Sequence, residues 1–390
     1  MLLKRTLWFV FLLSIIFNLV FFSVDIFPVV KRKLSKTTYL VNEANASVER
    51  KVVNASFEMF ASTQIYMPYG RQLNFLQKLR NLGSDEIDRI SYFPRAYLAL
   101  GLIKYSSKFD KKLFDKVVTL YDRYYVRDDT LGFDFEYVDQ VPLGHAALEL
   151  YKITGREKYK NIADVIFGEL QKMISKKEQY SFVLYRDHQN DLLVDALALV
   201  VPFLQAYGEQ FQNDYAIDLA KSQMDFFFKY GLEEETGLPF HAIDLKTKEG
   251  LGPNNWGRGM GWYMLALKSI SNMSSKKMDS LISFKKREVL FLRTMNSLKD
   301  SMYYTQFPGT SIDFDSSSST MLMYGENVLR PGTHTKEMII NTFKPFVKDN
   351  GVLDQCSAEA FGVNKYSLEF GESELSQGMI LLLLSTTSDN

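Results

Sequence analysis

The hydrophobic positions of this chain fall into three kinds of stretch. The first runs from Thr6 to Val24, carries no charge and is dominated by Leu, Phe, Val and Ile. That is close to the roughly 20 residues that span a bilayer. The second kind is amphipathic. From Arg156 to Ile174, Tyr159, Ile162, Ala163, Ile166, Leu170 and Met173 line one face at helical spacing, with Lys and Glu opposite. Asn213 to Tyr230 repeats the pattern with Tyr215, Ile217, Leu219, Ala220 and Phe227. The third kind is apolar all round. Asp191 to Tyr207 carries Leu192, Leu193, Val194, Leu197, Leu199, Val201, Phe203 and Leu204. Such a helix is buried, and Pro202 kinks it. Strands are few; Gln179–Tyr185 and Met302–Phe307 are short candidates.

Alternation of half-exposed and buried helices predicts two concentric layers. Starts of buried helices fall near Tyr92, Asp139, Asp191, Trp256, Asp315 and Glu372, 47 to 65 residues apart. Helical hairpins of that length exceed the common solenoid repeats. An open superhelix and a closed ring both fit the period; a hairpin that reaches six copies and stops favours closure. The predicted fold is all-α, an (α/α)6 barrel preceded by an N-terminal transmembrane anchor. Residues 1–30 form the lead and anchor, 31–60 a polar stalk or first helix, and 61–390 the barrel. In a closed ring the inner helix N-termini converge on one end, where amide donors and positive dipole ends suit a ligand.

Composition narrows the partners. Basic and acidic side chains balance at 46 each, so nothing draws the chain toward nucleic acid. Aromatic content is high at 14%, which suits both carbohydrate clefts and packed helical cores. The single cysteine, Cys356, excludes an intrachain disulfide, argues against a Cys-based zinc site and reads as a small packing residue. The histidines His145, His188, His241 and His334 lack ligand spacing, so neither metal nor cofactor is expected. His145, on a helix face, reads as core. At the N-terminus, Lys4 and Arg5 precede the apolar stretch, and Lys31, Arg32, Lys33 and Lys36 follow it. The charge bias therefore leaves orientation open. Phe22 to Pro28 offers no small-residue cleavage site, which indicates an uncleaved signal anchor in the membrane. An anchor so placed, ahead of a large domain, is expected to export that domain.

One segment concentrates unusual residues: His241-Ala-Ile-Asp244, then Trp256-Gly-Arg-Gly-Met-Gly-Trp262, with two of the three tryptophans. An indole is a flat apolar platform and a guanidinium a rigid donor fork. Together they suit a sugar ring bearing a carboxylate, with the glycines allowing close backbone approach. Plain helix packing explains the same residues. Asp195 lies within the most apolar helix. Such surroundings favour the neutral form of a carboxylate, and a general acid needs that proton; a buried helix cap is the alternative. Asp191 is placed as the cap of the same helix. Asp139 opens another helix, as its cap or as a second carboxylate beside Asp195. The Ser316–Ser319 run reads as linker or as a small-residue helix start.

Taken in order, these residues resemble the unsaturated rhamnogalacturonyl hydrolases of glycoside hydrolase family 105 and the unsaturated glucuronyl hydrolases of family 88. The family's Trp-Gly-Arg-Gly-Asn-Gly-Trp motif is similar to Trp256–Trp262, and its His-x-x-Asp to His241–Asp244. Its acid-bearing apolar helix resembles Asp195–Phe203. Its Asp-x-x-x-x-Gly helix resembles Asp139–Gly144, followed by Leu150–Gly155. Its small-residue helix start resembles Ser316–Tyr324. The resemblance covers roughly residues 85–385. It implies an (α/α)6 barrel and hydration of a vinyl ether. Asp195 and Asp139 would be catalytic, and His241, Asp244, Trp256, Arg258 and Trp262 would bind the sugar. Met260 departs from the family's Asn, and Leu193 from an aromatic that often precedes the acid.

Two functions follow as expectations. One is an anchored hydrolase that removes a terminal unsaturated uronate from an oligosaccharide. The other is an envelope protein of capsule or exopolysaccharide assembly that binds or trims a glycan with the same barrel.

Overall fold

A computed structural model of the chain describes residues 2–23, 37–62, 66, 92–186, 190–271, 281–310 and 313–388. The chain divides into two compact units. One contains helix α1 (Leu2–Phe21). Over Lys4–Phe21 this helix is long and apolar enough to cross a membrane, by length and composition.

The second unit begins at Tyr39. In chain order it holds α2 (Asn45–Ala61), α3 (Phe93–Phe109), α4 (Lys111–Tyr125) and the hairpin β1–β2 (Val126–Arg127 and Thr130–Leu131). Next come α5 (Val141–Thr154), α6 (Glu157–Lys172) and the hairpin β3–β4 (Ile174–Lys177 and Tyr180–Val183). Strand β5 (Asp191–Leu193), α7 (Val194–Phe211), α8 (Asp214–Tyr230), β6 (Ala242–Asp244) and β7 (Gly250–Leu251) follow. The chain ends with α9 (Gly257–Ser271), α10 (Leu281–Ser297), α11 (Ser316–Leu329), α12 (Lys336–Phe343), β8 (Cys356–Ser357), β9 (Phe370–Gly371) and α13 (Glu374–Ser385).

The odd-numbered helices from α3 to α13 are buried nearly all round, as an all-apolar pattern requires. They pack in a cycle: α3 on α5, α5 on α7, α7 on α9, α9 on α11, α11 on α13, and α13 back on α3. The cycle closes over two glycines. A Cβ on Gly101 would overlap the Gly378 carbonyl, and one on Gly378 would overlap the backbone at Tyr97 and Leu98. A second layer of one-faced helices lies outside. Helices α4, α6 and α8 pack on α3, α5 and α7. Phe284 and Phe291 of α10 meet Phe228 of α8 and Tyr263 of α9.

The outer place beside α13 is taken by α2, which packs on both α3 and α13. Residues 45–60 of the segment expected as a stalk or first helix therefore form a helix packed on the domain. Val48, Val52, Met59 and Phe60 are buried there, spaced to make one apolar face. Several outer and inner helices start on side-chain caps: Asp110 accepts from the Leu113 amide at 3.0 Å and Asn213 from the Ala216 amide at 3.0 Å.

The strand expectations divide. Tyr180–Val183 is a strand, paired with β3, so the preceding helix stops at Lys172 rather than at Ile174. Met302–Phe307 makes only isolated bridges, Asp300 with Tyr303 and Thr305 with Phe314. Asp191 does not cap α7. It sits in β5 opposite Asp244 of β6, and Leu193 holds the cap position. His188 lies outside the described residues.

Candidate active site

The site starts from a backbone tie. Sheet β5–β6–β7 runs directly into α7, and the Val194 amide donates to the His241 carbonyl at 2.9 Å. That tie sets the first turn of α7 beside His241. Asp195 Oδ2 then lies 3.5 Å from His241 Nε2. This oxygen is buried and makes no hydrogen bond among the described residues. The imidazole is fixed from its other side, with Nδ1 2.6 Å from the Tyr366 hydroxyl. Its ring lies against Trp256 at 4.4 Å, and Trp256 against Tyr366 at 5.2 Å. Burial pushes the Tyr366 phenol well up, and the Asp195 charge adds to it.

Asp139 reaches the same region. It lies in a short 3-10 turn, Val138–Gln140, ahead of α5. It is not the helix cap that its position suggested. The Gln140 side chain takes the amides of Glu136 and Tyr137 at 2.8 and 3.1 Å. Asp139 instead accepts a hydrogen bond from the Tyr185 hydroxyl at 2.7 Å. Burial first, then the Asp139 carboxylate, pushes the Tyr185 phenol far up, and Asp195 and Glu359 act in the same direction. Asp139, Tyr185, Asp195 and Glu359 therefore share one electrostatic environment.

Arg258, in the first turn of α9, is held from below. Nε donates to Ser317 Oγ at 3.0 Å, and Nη2 to Ser357 Oγ at 2.8 Å and to the Ser357 carbonyl. Nη1 has no partner among the described residues. Burial alone would lower this guanidinium's proton affinity. Cys356, Asp315, Glu359 and Asp195 outweigh it and raise the value. The expected serine-rich helix start is the base of this arrangement. Asp315 caps α11, with Oδ1 accepting from the Ser317 and Ser357 amides and from Ser317 Oγ, and Oδ2 from Ser318 and Ser357 Oγ. A buried carboxylate so fully bonded stays ordered. Cys356, expected as plain packing, lies 3.5 Å from Arg258 Nη2, and burial pushes its thiol up.

The glycines of the Trp-Gly-Arg segment serve packing. A Cβ on Gly257 would meet Ser318 Oγ and one on Gly261 would meet Met321 of α11, while one on Gly259 would meet the Trp256 ring. Trp262 lies deeper in the ring, almost fully buried, against Phe93 at 5.6 Å and Tyr97 at 5.8 Å. Met260 is fully buried. Asp244 is separate from the cluster. Its Oδ1 accepts from the Lys246 and Thr247 amides at 2.7 and 2.8 Å, and those bonds, Thr247 first, hold its carboxyl low. Among the described residues no group of three His, Cys, Asp or Glu could hold a metal ion.

The model of Glycosyl Hydrolase Family 88 matches residues 92–324. The chain belongs to glycosyl hydrolase family 88. It is a glycosidase by that membership. Solved structures share the fold. A possible member of glycoside hydrolase family 105 from Klebsiella pneumoniae superposes with a TM-score of 0.70 at 15% identity, over 93% of this chain and 97% of that one. A family 105 glycoside hydrolase from C. acetobutylicum gives 0.65 at 19%, over 86% and 98%. A family 88 hydrolase from Bacteroides vulgatus gives 0.58 at 13%, over 88% and 99%.

The family 88 match ends at Tyr324, yet Ser357, Glu359 and Tyr366 beyond it complete the site. Sequence reasoning missed these three and Tyr185. Tyr185 closes a strand candidate and carried no sign of its partner 46 residues away. Tyr366 lies in a loop without periodicity, so only the folded chain brings it to His241.

Proposed function

We propose that this chain removes a terminal unsaturated uronate from an oligosaccharide, with Asp195 as general acid and base, on an (α/α)6 barrel. Asp195 donates its proton to C4 of the C4=C5 vinyl ether. Water, losing a proton to the same carboxylate, adds at C5. The resulting hemiketal opens and the neighbouring sugar leaves; the proton taken from water has already restored the acid for the next cycle. The observation that carries this reading is the buried Asp195 Oδ2, which has no hydrogen bond among the described residues, facing His241 Nε2 at 3.5 Å. An acid that must give up a proton in the transition state is best left unbonded on one oxygen. His241, held by Tyr366, orients substrate beside it. Arg258 offers Nη1 to the uronate carboxylate while its other nitrogens are anchored. Asp139 with Tyr185 positions the substrate, Trp256 backs His241, and Trp262 shapes the floor.

Helix α1 fits an uncleaved anchor that carries the glycosidase on the outer side of the membrane. Its apolar composition and length support a membrane span, and its position ahead of a large domain is the reason for the outer side.

The test is loss of the conjugated ultraviolet absorbance when the protein meets unsaturated glucuronyl and rhamnogalacturonyl disaccharides. Turnover is expected, and Asp195→Asn should lower kcat by about 10² to 10⁴-fold. Absence of turnover on both substrate classes sinks the reading. Glycan binding without turnover, unchanged in Asp195→Asn, supports the assembly role instead.

A further inference from the structure

The six ring helices end around a second space. At their C-terminal side lies a cavity of about 810 Å³. Each ring helix contributes: Lys104 from α3, Glu149 from α5, Gln205 from α7, Lys268 from α9, Tyr324 from α11 and Ser385 from α13. Arg258 and Lys268 stand ten residues apart on α9, roughly 15 Å of helical rise. The cavity is therefore at the other end of the ring from Asp195. Its volume falls within the ~300–1,000 Å³ of small-molecule sites.

Helix C-termini carry partial negative charge, so lysines are expected here for stability alone. Two of them have a helix-end carbonyl or an acidic side chain as partner. Lys108 Nζ donates to the carbonyls of Ser385 and Thr387 at 3.1 and 2.5 Å, and Lys104 Nζ pairs with Glu149 Oε1 at 2.6 Å. Lys268 is different. It is only 9% exposed, lines the cavity, and forms no hydrogen bond or ion pair among the described residues. Its ammonium lies 5.1 Å from the Tyr324 ring centre. The stem is buried while Nζ itself stays open to the cavity, with no anion paired to it among the described residues. His145 in the same wall does not supply one. Burial, with Lys104 and Lys268 adding to it, holds that imidazole down to about 3, so it stands neutral as a hydrogen-bonding group. The wall also carries the Gln205 and Gln210 amides and the Glu209 carboxylate, while the Ser269 hydroxyl donates to the Leu265 carbonyl at 3.0 Å.

We propose that this cavity is a second ligand site, for a small polyhydroxylated anion such as a sugar acid or a sugar phosphate. Its acid group sits on the Lys268 ammonium, and its hydroxyls meet the amides and hydroxyls of the wall. The site is independent of the chemistry at Asp195.

The test is titration calorimetry of the full chain in detergent with glucuronate, glucose 6-phosphate and neutral glucose. Only binding that depends on this cavity counts. At least one anion should bind, and glucose should bind far more weakly. Lys268→Gln should weaken the anion by roughly ten- to a hundredfold, the value of a charge-assisted hydrogen bond. Lys152→Glu, at the exposed rim of the same cavity, should weaken it severalfold with an unchanged thermal melt; it decides the matter if Lys268→Gln does not fold. Whichever anion binds tighter identifies the acid group. Binding equal in both variants and parent, glucose binding as well as the anions, or no binding by any of the three overturns the proposal.

Discussion

Asp195 and His241 face each other at 3.5 Å from two different elements, the first turn of α7 and the entry to β6. The gap is too long for a hydrogen bond. It leaves the carboxylate with an uncommitted oxygen, while Tyr366 holds the imidazole from behind at 2.6 Å. His241→Phe keeps the ring against Trp256 and removes both nitrogens. Expected is a fall in kcat of about 10²-fold with little change in thermal stability. Steady-state kinetics beside a melt will check it; unaltered kcat would remove His241 from the reaction.

Asp244 tests the boundary of the site. Its carboxylate is spent on the Lys246 and Thr247 amides within a turn. Asp244→Ala is expected to lower the thermal melt slightly for the lost bonds and to leave kcat/KM unchanged. A tenfold loss of kcat/KM at full stability would return Asp244 to the substrate, as the family resemblance implied.

Ring closure predicts opposite signs for two glycine substitutions. Helix propensity favours Ala over Gly by about 1 kcal/mol. At Gly168 of α6 a Cβ meets nothing within 4 Å, so Gly168→Ala should raise the urea midpoint. At Gly101 the Cβ would overlap the Gly378 carbonyl, a backbone atom that cannot swing aside. Overpacking of about 1–3 kcal/mol or more then exceeds the propensity gain. Gly101→Ala should lower the midpoint.

A buried ion pair sets a pH dependence. Glu374, at the start of α13, lies 2.8 Å from Arg95 of α3, and both are almost wholly inaccessible. Burial outweighs Arg95 and pushes the Glu374 carboxyl up to about 7 from 4.5. The folded state thus holds this proton more tightly than the unfolded chain. The stabilisation is complete below about 4.5 and is lost as pH rises to about 7, on the order of 3 kcal/mol. Glu374→Gln should flatten that decline in denaturant midpoints measured across the window. An equal decline in the variant would assign it to other groups.

Much of this protein is legible in its order of residues. The all-round apolar run of α7, the one-faced pattern of α6 and α8, and the spacing of six buried helix starts are local periodicities, and each appears in the folded chain, except that Tyr215 of the α8 face is exposed. Burial of a helix face is encoded within a few turns, which is why periodicity reads it. The Trp-Gly-Arg segment and Asp195 were also visible, because rare residue types in a short span stand out.

Other features depended on contacts between distant segments. The place of α2 beside α13 joins residues more than 300 positions apart, and no local pattern distinguishes such a helix from a stalk. The same holds for Tyr185 on Asp139, Tyr366 on His241, and Ser357 beneath Arg258. Each is a polar contact whose partner is chosen by the path of the ring. Of the glycines read as room for a ligand, Gly257 and Gly261 make room for α11 and Gly259 for the Trp256 ring, since a missing Cβ does not name what fills its place. Sequence determined which faces had to be buried. Only the closed packing of those faces decided which side chains were left to meet at the helix ends.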